Sequence, residues 1–338
     1  MLGQIMVAGL AAQALGTAGL STAAIAQQAG GLNFGRSRPF SYDWLRKYAA
    51  DLAAKPYQSP PRPDPAIVSR IDYDAHGKLK FKTDYALFAD GKSPFPITFM
   101  HVGQFFPKTV QMFAVAGGKA REILYQPDYF TMNDDHVAQK LPAQPSAFAG
   151  FWVREPGKDW ADKEPWVTFL GASYFRGVGE LGQVGLSARG IAVTPGAGVP
   201  EEFPDFTAFW FVPSPADSDS VTVYALLDGP SLAGAYRFVM HRTRGVVMDI
   251  DARLFLRQPI ARIGIAPLTS MYWFSETAKA AAVDWRPEVH DSDGLAIWTG
   301  SGERIWRPLN NPTSIVISSF LDNNPRGFGL MQRDRDFD

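Results

Sequence analysis

The stretch VVMDIDARLFLR, residues 246–257, decides the fold of this chain. In an extended backbone, successive side chains point to opposite faces, so alternate positions of this stretch form two sets. One set is wholly apolar and consists of Val246, Met248, Ile250, Ala252, Leu254 and Leu256. The other carries the charges and consists of Val247, Asp249, Asp251, Arg253, Phe255 and Arg257. A helix would spread the apolar set around its circumference, so the pattern predicts a strand with one face in a core.

Strand and turn signals continue on both sides of this stretch. Asp90-Gly91 is typical of a turn, and an alternating run begins after it with Phe95, Ile97 and Phe99. Three further runs predict strands: Lys78–Lys82, Val221–Leu227 and Ser314–Phe320. The second and third of these runs are rich in β-branched residues, and we predict that they are buried. The alternation of strands and helices that a parallel sheet needs is not present. We therefore predict an all-β fold, a large antiparallel β-sandwich.

One helix is predicted at the periphery of the sandwich, over Ser41–Lys55. Leu45, Tyr48 and Leu52 recur at helical spacing, and Pro56 ends the pattern. Ser41 stands where its hydroxyl can cap the first turn.

Composition excludes several classes of function. The 338 residues carry a net charge of −1, so neither nucleic acid nor an anionic membrane surface is favoured as a partner. The chain has no cysteine, which excludes disulfides, zinc–thiolate sites and thiol nucleophiles. Its five histidines are scattered, and the cluster Asp134-Asp135-His136 is better explained as a polar turn than as a ligand set. We predict no metal and no cofactor.

The N-terminus predicts export. Residues 1–26 contain no charge and end in Ala24-Ile25-Ala26, which is typical of a signal peptide cleaved before Gln27. A membrane anchor is the alternative, weakened by the many small residues. Because no basic segment precedes the apolar run, we expect the natural start to lie upstream of Met1. Residues 27–39 are then a linker, and residues 40–338 form a sandwich domain that we expect to be incomplete at its C-terminal end.

The stretch from Met271 to Pro312 combines carboxylates, arginines and large aromatic residues. This composition is typical of a sugar-binding cleft, and equally of a long polar loop. Asp291 and Asp293 lie two positions apart beside His290, and a glycosidase needs two carboxyl groups, one acid and one base or nucleophile. Turn aspartates are the structural alternative. A second aromatic run consists of Phe206, Phe209, Trp210 and Phe211. One interpretation is a wall on which sugar rings stack, and the other, which is commoner for such runs, is part of the hydrophobic core.

Longer blocks carry a family resemblance. They include FLGASYFR at 169–176, GLSARG at 185–190, EEFPDF at 201–206, GIAPLTSM at 264–271, HDSD at 290–293 and WRPLNNP at 306–312. In this order they resemble the periplasmic glucan biosynthesis proteins G and D, over about residues 40–338. Residues 207–211 and 322–325 are more similar to the D branch.

The resemblance implies a galactose mutarotase-like sandwich followed by an immunoglobulin-like domain. It implies β-1,2-glucan chains as ligand, with inverting hydrolysis within the chain and Asp291 as general base, acting through a relay of waters. The family's general acid lies past residue 338, so we expect this chain by itself to be inactive. The resemblance further implies the periplasm, reached by twin-arginine export, and transient contact with an inner-membrane glucan synthase.

Several further residues are candidates at the site. His290 and Asp293 would orient Asp291 or the relay. The candidates for binding hydroxyls or holding carboxylates are Arg176, Arg189 and Arg307, and those for stacking on glucose rings are Tyr174, Tyr272, Trp273 and Trp306. Each has a structural alternative, which for Arg176 and Arg189 is a buried ion pair.

Two other functions remain open. One is a non-catalytic protein that presents nascent glucan to other enzymes. The other is a mutarotase-type epimerase, which rests on fold analogy alone.

Overall fold

The computed structural model describes residues 31–91, 93–196 and 198–333. Two β-sheets face each other across an aromatic core, which confirms the predicted all-β sandwich. The predicted signal peptide, residues 1–26, lies outside the described residues. In the described part of the chain, no helix is long and apolar enough to cross a membrane.

The larger sheet has eight strands. In spatial order seven of them are β1 (Asn33–Phe34), β6 (Lys119–Leu124), β5 (Gln111–Ala116), β13 (Asp205–Val212), β14 (Ser220–Asp228), β15 (Leu232–Arg242) and β16 (Val246–Leu256), while β2 (Arg38–Pro39) also pairs with β6. One pair departs from the predicted antiparallel order, because β5 and β13 run parallel. Between them the chain forms β6 and then four of the six strands of the smaller sheet before it returns, and β13 enters the larger sheet in the same direction as β5. Strands β1 and β2 belong to the segment predicted as a linker, and here they are paired into the sheet.

The smaller sheet has six strands. They are β18 (Leu268–Thr269), β11 (Ser187–Arg189), β10 (Tyr174–Gly177), β9 (Val167–Leu170), β8 (Phe148–Val153) and β4 (Ile97–His101). Phe151 on β8 meets Phe209 and Phe211 on β13, with ring centroids 4.8 Å apart in both cases. The aromatic run at 206–211 is therefore core, as the commoner of its two interpretations predicted.

The other elements are short. Strands pair as β3 (Lys80–Phe81) with β7 (Phe130–Thr131), β12 (Ala192–Val193) with β17 (Ile263–Gly264), β19 (Tyr272–Phe274) with β20 (Val289–His290), and β22 (Arg304–Pro308) and β23 (Gly327–Met331) with β21 (Gly294–Trp298). The α-helices are α1 (Tyr42–Ala53), α2 (Pro65–Val68) and α3 (Tyr73–Lys78). The 3-10 turns are Thr83–Tyr85, Pro127–Tyr129, Val137–Lys140, Trp160–Asp162 and Glu276–Ala281.

Helix α1 lies on the outer face of the larger sheet, and it corresponds to the helix predicted at the periphery. The Ser41 hydroxyl accepts a hydrogen bond from the Trp44 N–H at 3.1 Å and so caps the helix. Leu45 and Ala49 are buried against the sheet, in a second core cluster with Trp210 of β13. Because side chains alternate along a strand, Trp210 faces the helix while its neighbours Phe209 and Phe211 face the other sheet.

Strand β16 confirms the alternation on which the fold prediction rests. Val246, Met248, Ala252 and Leu254 pack against the main core. Ile250 and Leu256 remain about half exposed, because β16 is the last strand of the larger sheet in the described chain.

One strand prediction was wrong and another was too long. Ser314–Phe320 forms no strand, and Ile315, Val316 and Ile317 are exposed rather than buried. A β-rich run becomes a buried strand only if another strand pairs with it and a surface covers it, and none of the described elements does either. Of the run at 78–82, only Lys80 and Phe81 form a strand, because Lys78 ends helix α3.

Candidate functional site

Asp291 lies at the edge of the smaller sheet. Its neighbour in space is Met271, the second residue after strand β18. The Met271 N–H donates to Asp291 Oδ2 at 2.8 Å, and the Asp291 N–H donates to the Met271 carbonyl oxygen at 2.8 Å. This reciprocal pair fixes both the backbone and the carboxylate of Asp291 relative to the sheet.

The carboxylate of Asp291 also rests against Gly185, which precedes strand β11. A Cβ added at Gly185 would lie 3.1 Å from Asp291 Oδ1. Glycine at this position therefore leaves the room that the carboxylate occupies. Asp291 is half-buried, so it is held by the protein and still reachable from solvent.

Arg176 connects this edge to a groove on the sheet. Its Nε donates to the Leu186 carbonyl oxygen at 3.2 Å and its Nη2 donates to Ser187 Oγ at 3.0 Å. These bonds tie strand β10 to the segment that contacts Asp291. Arg176 and Ser187 both line a cavity of about 530 Å³, called the groove below, so the segment that contacts Asp291 continues into the groove wall.

The groove continues over the turn between β9 and β10. A second cavity of about 210 Å³ shares with the first the residues Phe105, Phe106, Leu170, Gly171, Ala172 and Tyr174. Gly171 has a φ of +77°, a left-handed conformation that suits glycine, and this tight turn presents Tyr174 to both cavities. Aromatic rings beside a few polar groups are typical of a ligand site.

Several groove residues were missed by the sequence analysis. Phe105 is 65% exposed although it is a large apolar residue, and it lines both cavities together with Phe106. Lys108 Nζ contacts Asp205 Oδ2 at 2.6 Å at the far end of the groove. Burial raises the pKa of Asp205, and the hydrogen bond from Lys108 opposes that shift. The adjacent phenylalanines of Gln104-Phe105-Phe106-Pro107, outside any alternating run, were the signal available in the sequence.

Arg189 serves a different purpose from Arg176. Its Nη2 donates to Glu201 Oε1 at 2.7 Å, and its guanidinium lies over the rings of Tyr174 and Phe203. The structural alternative, an ion pair, therefore describes this residue better than direct ligand binding, because its guanidinium is held by Glu201 and contacts the Tyr174 ring.

His290 and Asp293 flank Asp291 in sequence but have other partners. His290 Nε2 lies 2.9 Å from Glu288 Oε2 and 3.7 Å from Asp293 Oδ1, and Asp293 Oδ2 accepts from the Arg333 N–H at 2.7 Å. Among the described residues, neither side chain forms a hydrogen bond with the Asp291 carboxylate. Ligand atoms of Glu288, His290 and Asp293 lie within 4.8 Å of one another, close enough to share a cation, although exposed acidic groups often have this spacing without one.

The remaining candidates lie outside the two groove cavities. Tyr272 packs beside the His290 ring at 5.7 Å, and Trp273 lies under the guanidinium of Arg286. Trp306 and Arg307 belong to strand β22, where Trp306 covers Gly294 and Arg307 lies over the ring of Phe320. Of the ten predicted residues, only Tyr174 and Arg176 line the groove cavities. Asp291 is connected to them through Gly185 and the Leu186–Ser187 segment that Arg176 binds.

Comparisons with known proteins confirm the family resemblance seen in the sequence. A family model described as "Periplasmic glucan biosynthesis protein, MdoG" matches residues 40–338. The chain is 60% identical over 315 residues to glucans biosynthesis protein D 2 of Ralstonia nicotianae, covering 90% of this chain and 58% of that protein. It is 48% identical over 304 residues to glucans biosynthesis protein D of Xylella fastidiosa strain M23, covering 90% of this chain and 56% of that protein. The protein of the same name from Xanthomonas oryzae pv. oryzae is 45% identical over 332 residues, covering 98% of this chain and 62% of that protein. The chain thus spans less than two thirds of the length of these relatives.

Proposed function

The chain belongs to the periplasmic glucan biosynthesis protein MdoG family, and from this premise we propose that the full-length protein binds β-1,2-linked glucan and hydrolyses it within the chain, with inversion. The groove beside Tyr174 and Arg176 holds the sugar, and Asp291 is the general base. The full-length protein acts in the periplasm, which it reaches by twin-arginine export. There it controls the backbones of glucans received from an inner-membrane synthase.

The position of Asp291 is the observation that carries this proposal. Its carboxylate rests on Gly185, two residues before Ser187, which lines the groove. A base must stand near the reacting bond, while its own backbone must stay rigid. The hydrogen bonds to Met271 supply that rigidity, and the half-buried carboxylate keeps access to water.

The groove supplies what a pyranose needs for binding. Ring faces of Tyr174, Phe105 and Phe106 offer apolar surfaces for the C–H faces of a sugar. Arg176 keeps guanidinium N–H groups beyond those bound to Leu186 and Ser187, and these can donate to hydroxyl oxygens. The segment from Gly185 to Ser187 therefore connects the side chains that bind to the side chain that reacts.

In the reaction, Asp291 takes a proton from water, directly or through intervening waters, as the water attacks the anomeric carbon. A second carboxylic acid protonates the departing glycosidic oxygen, so that the proton count balances. Water attacks from the face opposite the departing group, and the configuration is inverted. We assign the acid to no residue of this chain.

A non-catalytic glucan-binding protein is the second candidate. The observation that favours it is the cavity around Phe106, Lys108, Phe203 and Phe206, which extends the groove away from Asp291. A surface of this kind holds a polymer whether or not a base stands at one end.

The test is product analysis with linear β-1,2-glucan, using the full-length protein and its Asp291→Asn variant. We expect the variant to lose a factor of about 100 to 10,000 in rate, while glucan binding is retained. Asp51→Asn on the exposed face of α1 is the matched control, because it removes a carboxylate without touching the groove. Glucan bound but uncut by the wild type would favour the binding protein, and equal rates in wild type and Asp291→Asn would remove Asp291 from the chemistry.

A further inference from the structure

A third cavity lies on the opposite side of the sandwich, between helix α1 and the outer face of the larger sheet. Its volume is about 280 Å³. Trp44 and Tyr48 of the helix form one wall, and Phe113 and Trp210 of the sheet, whose rings stack at 4.9 Å, line the cavity as well. None of these residues belongs to the site described above.

Trp44 and Tyr48 form a stacked pair of rings that is open to solvent and is called the platform below. The centroids of Trp44 and Tyr48 are 5.2 Å apart and their planes differ by only 5°. Their exposed fractions are 42% and 43%, so each ring keeps much of its surface in solvent. Stacked, half-exposed aromatic rings beside a concavity are suited to a ligand with flat apolar faces, since binding would bury that surface.

Polar groups surround the platform. Arg36 and Arg38 line the same cavity, and within the described residues no carboxylate lies within 4.0 Å of either guanidinium. Gln111 Nε2 donates to Glu122 Oε1 at 3.3 Å on the other side, which leaves further oxygens free to accept. Unpaired arginine donors and amide or carboxylate acceptors around aromatic rings match a molecule rich in hydroxyl groups.

A fourth cavity joins this platform to the groove beside Asp291. It has a volume of about 770 Å³ and shares Pro60 and Thr109 with the groove. With the third cavity it shares Tyr48, Gln111, Glu122 and Leu226. The concave surface is therefore continuous from Arg176, past Lys108 and Thr109, to Tyr48 and Trp44.

We propose that the platform of Trp44 and Tyr48, with Arg36 and Arg38, is a second binding region for a distant part of the same β-glucan chain that occupies the groove. This inference rests on the proposed function, and continuity of the surface is what selects the occupant. A polymer that leaves the groove along the fourth cavity arrives at the platform, whereas a short oligosaccharide does not reach it. The platform would then increase affinity for long chains by raising their effective concentration at the groove.

The test compares affinity for long linear β-1,2-glucan with affinity for a short β-1,2-linked oligosaccharide, by calorimetry on the full-length protein. We expect Trp44→Ala/Tyr48→Ala to weaken binding of the long chain about tenfold or more, and to leave binding of the short ligand unchanged. Arg36→Gln/Arg38→Gln is a second variant, expected to act in the same direction without removing packing. Tyr73→Ala is the matched control, because Tyr73 is a tyrosine 80% exposed on helix α3, outside all four cavities.

Each outcome separates the two proposals. Unchanged long-chain affinity in both double variants overturns the second region and leaves the groove proposal standing. Equal weakening of long and short ligands also overturns it, because the platform would then not be distinct from the groove. If the wild type binds neither ligand, the proposed function fails, and the second region fails with it.

Discussion

Gly185→Ala perturbs Asp291 without changing its chemistry. The added methyl would stand 3.1 Å from Oδ1 and 3.3 Å from the Cβ and Cγ of Asp291, so the carboxylate must move by a few tenths of an ångström. No left-handed φ is required at Gly185, so the backbone can accept alanine. The perturbation is therefore steric and local.

The magnitude follows from that displacement. A misplacement of about 1 Å at a reacting group can cost about 100-fold in rate. A shift of a few tenths of an ångström should cost less, and we expect kcat on β-1,2-glucan to fall about three- to tenfold with KM little changed. Replacing glycine by alanine where the backbone angles allow it stabilises the folded protein by about 0.4–1 kcal/mol, because alanine restricts the unfolded chain. This gain roughly offsets the cost of the close contact, so Tm should hardly move.

The assay is initial-rate hydrolysis by the full-length protein, beside Gly77→Ala. A Cβ at Gly77 would meet no atom within 4 Å, so this control adds the same methyl in open space. Full activity in Gly185→Ala, together with an inactive Asp291→Asn, would refute the claim that the Gly185 contact positions the carboxylate. An equal loss in Gly77→Ala would show that the effect is not local.

Two further predictions concern stability. Phe169→Ala should lower the free energy of unfolding by about 3–5 kcal/mol in a denaturant titration, because the ring is 1% exposed in the core. Phe105→Ala removes an exposed ring and should change the free energy of unfolding by no more than about 0.5 kcal/mol. Similar losses of stability in both variants would contradict the placement of the core. Burial lowers the pKa of His101 from 6.5 to about 4, where its Nε2 contacts Tyr125 Oη at 3.0 Å beside His76 and His136. Between these pH values the unfolded chain therefore binds more protons than the folded protein, and the free energy of unfolding should fall by about 3 kcal/mol as the pH decreases from 6.5 to 4. His101→Gln should reduce that fall. An unchanged dependence of stability on pH in the variant would count against a neutral His101.

The predictions that succeeded depend on local periodicity. The two-residue period of 246–257 identifies the core face of β16, and the spacing of Leu45, Tyr48 and Leu52, with the Ser41 cap, identifies helix α1 within two residues of its observed end. Such patterns are sufficient because covalent geometry dictates which side chains share a face.

The predictions that failed depend on partners. Ser314–Phe320 has the composition of a buried strand, yet it is exposed because no described element pairs with it. The parallel pairing of β5 with β13 follows from the path of the intervening chain, which no local pattern records.

For the site, the sequence by itself determined the residue types and the family, through blocks that include Tyr174, Arg176 and Asp291. Tertiary structure alone decided which of these residues meet. It brought Asp291 to Gly185, turned Arg189 toward Glu201, and added Phe105 to the groove. The physical reason is that a binding site is a set of distances between residues remote in sequence, and those distances are set by sheet pairing and core packing across the whole sandwich.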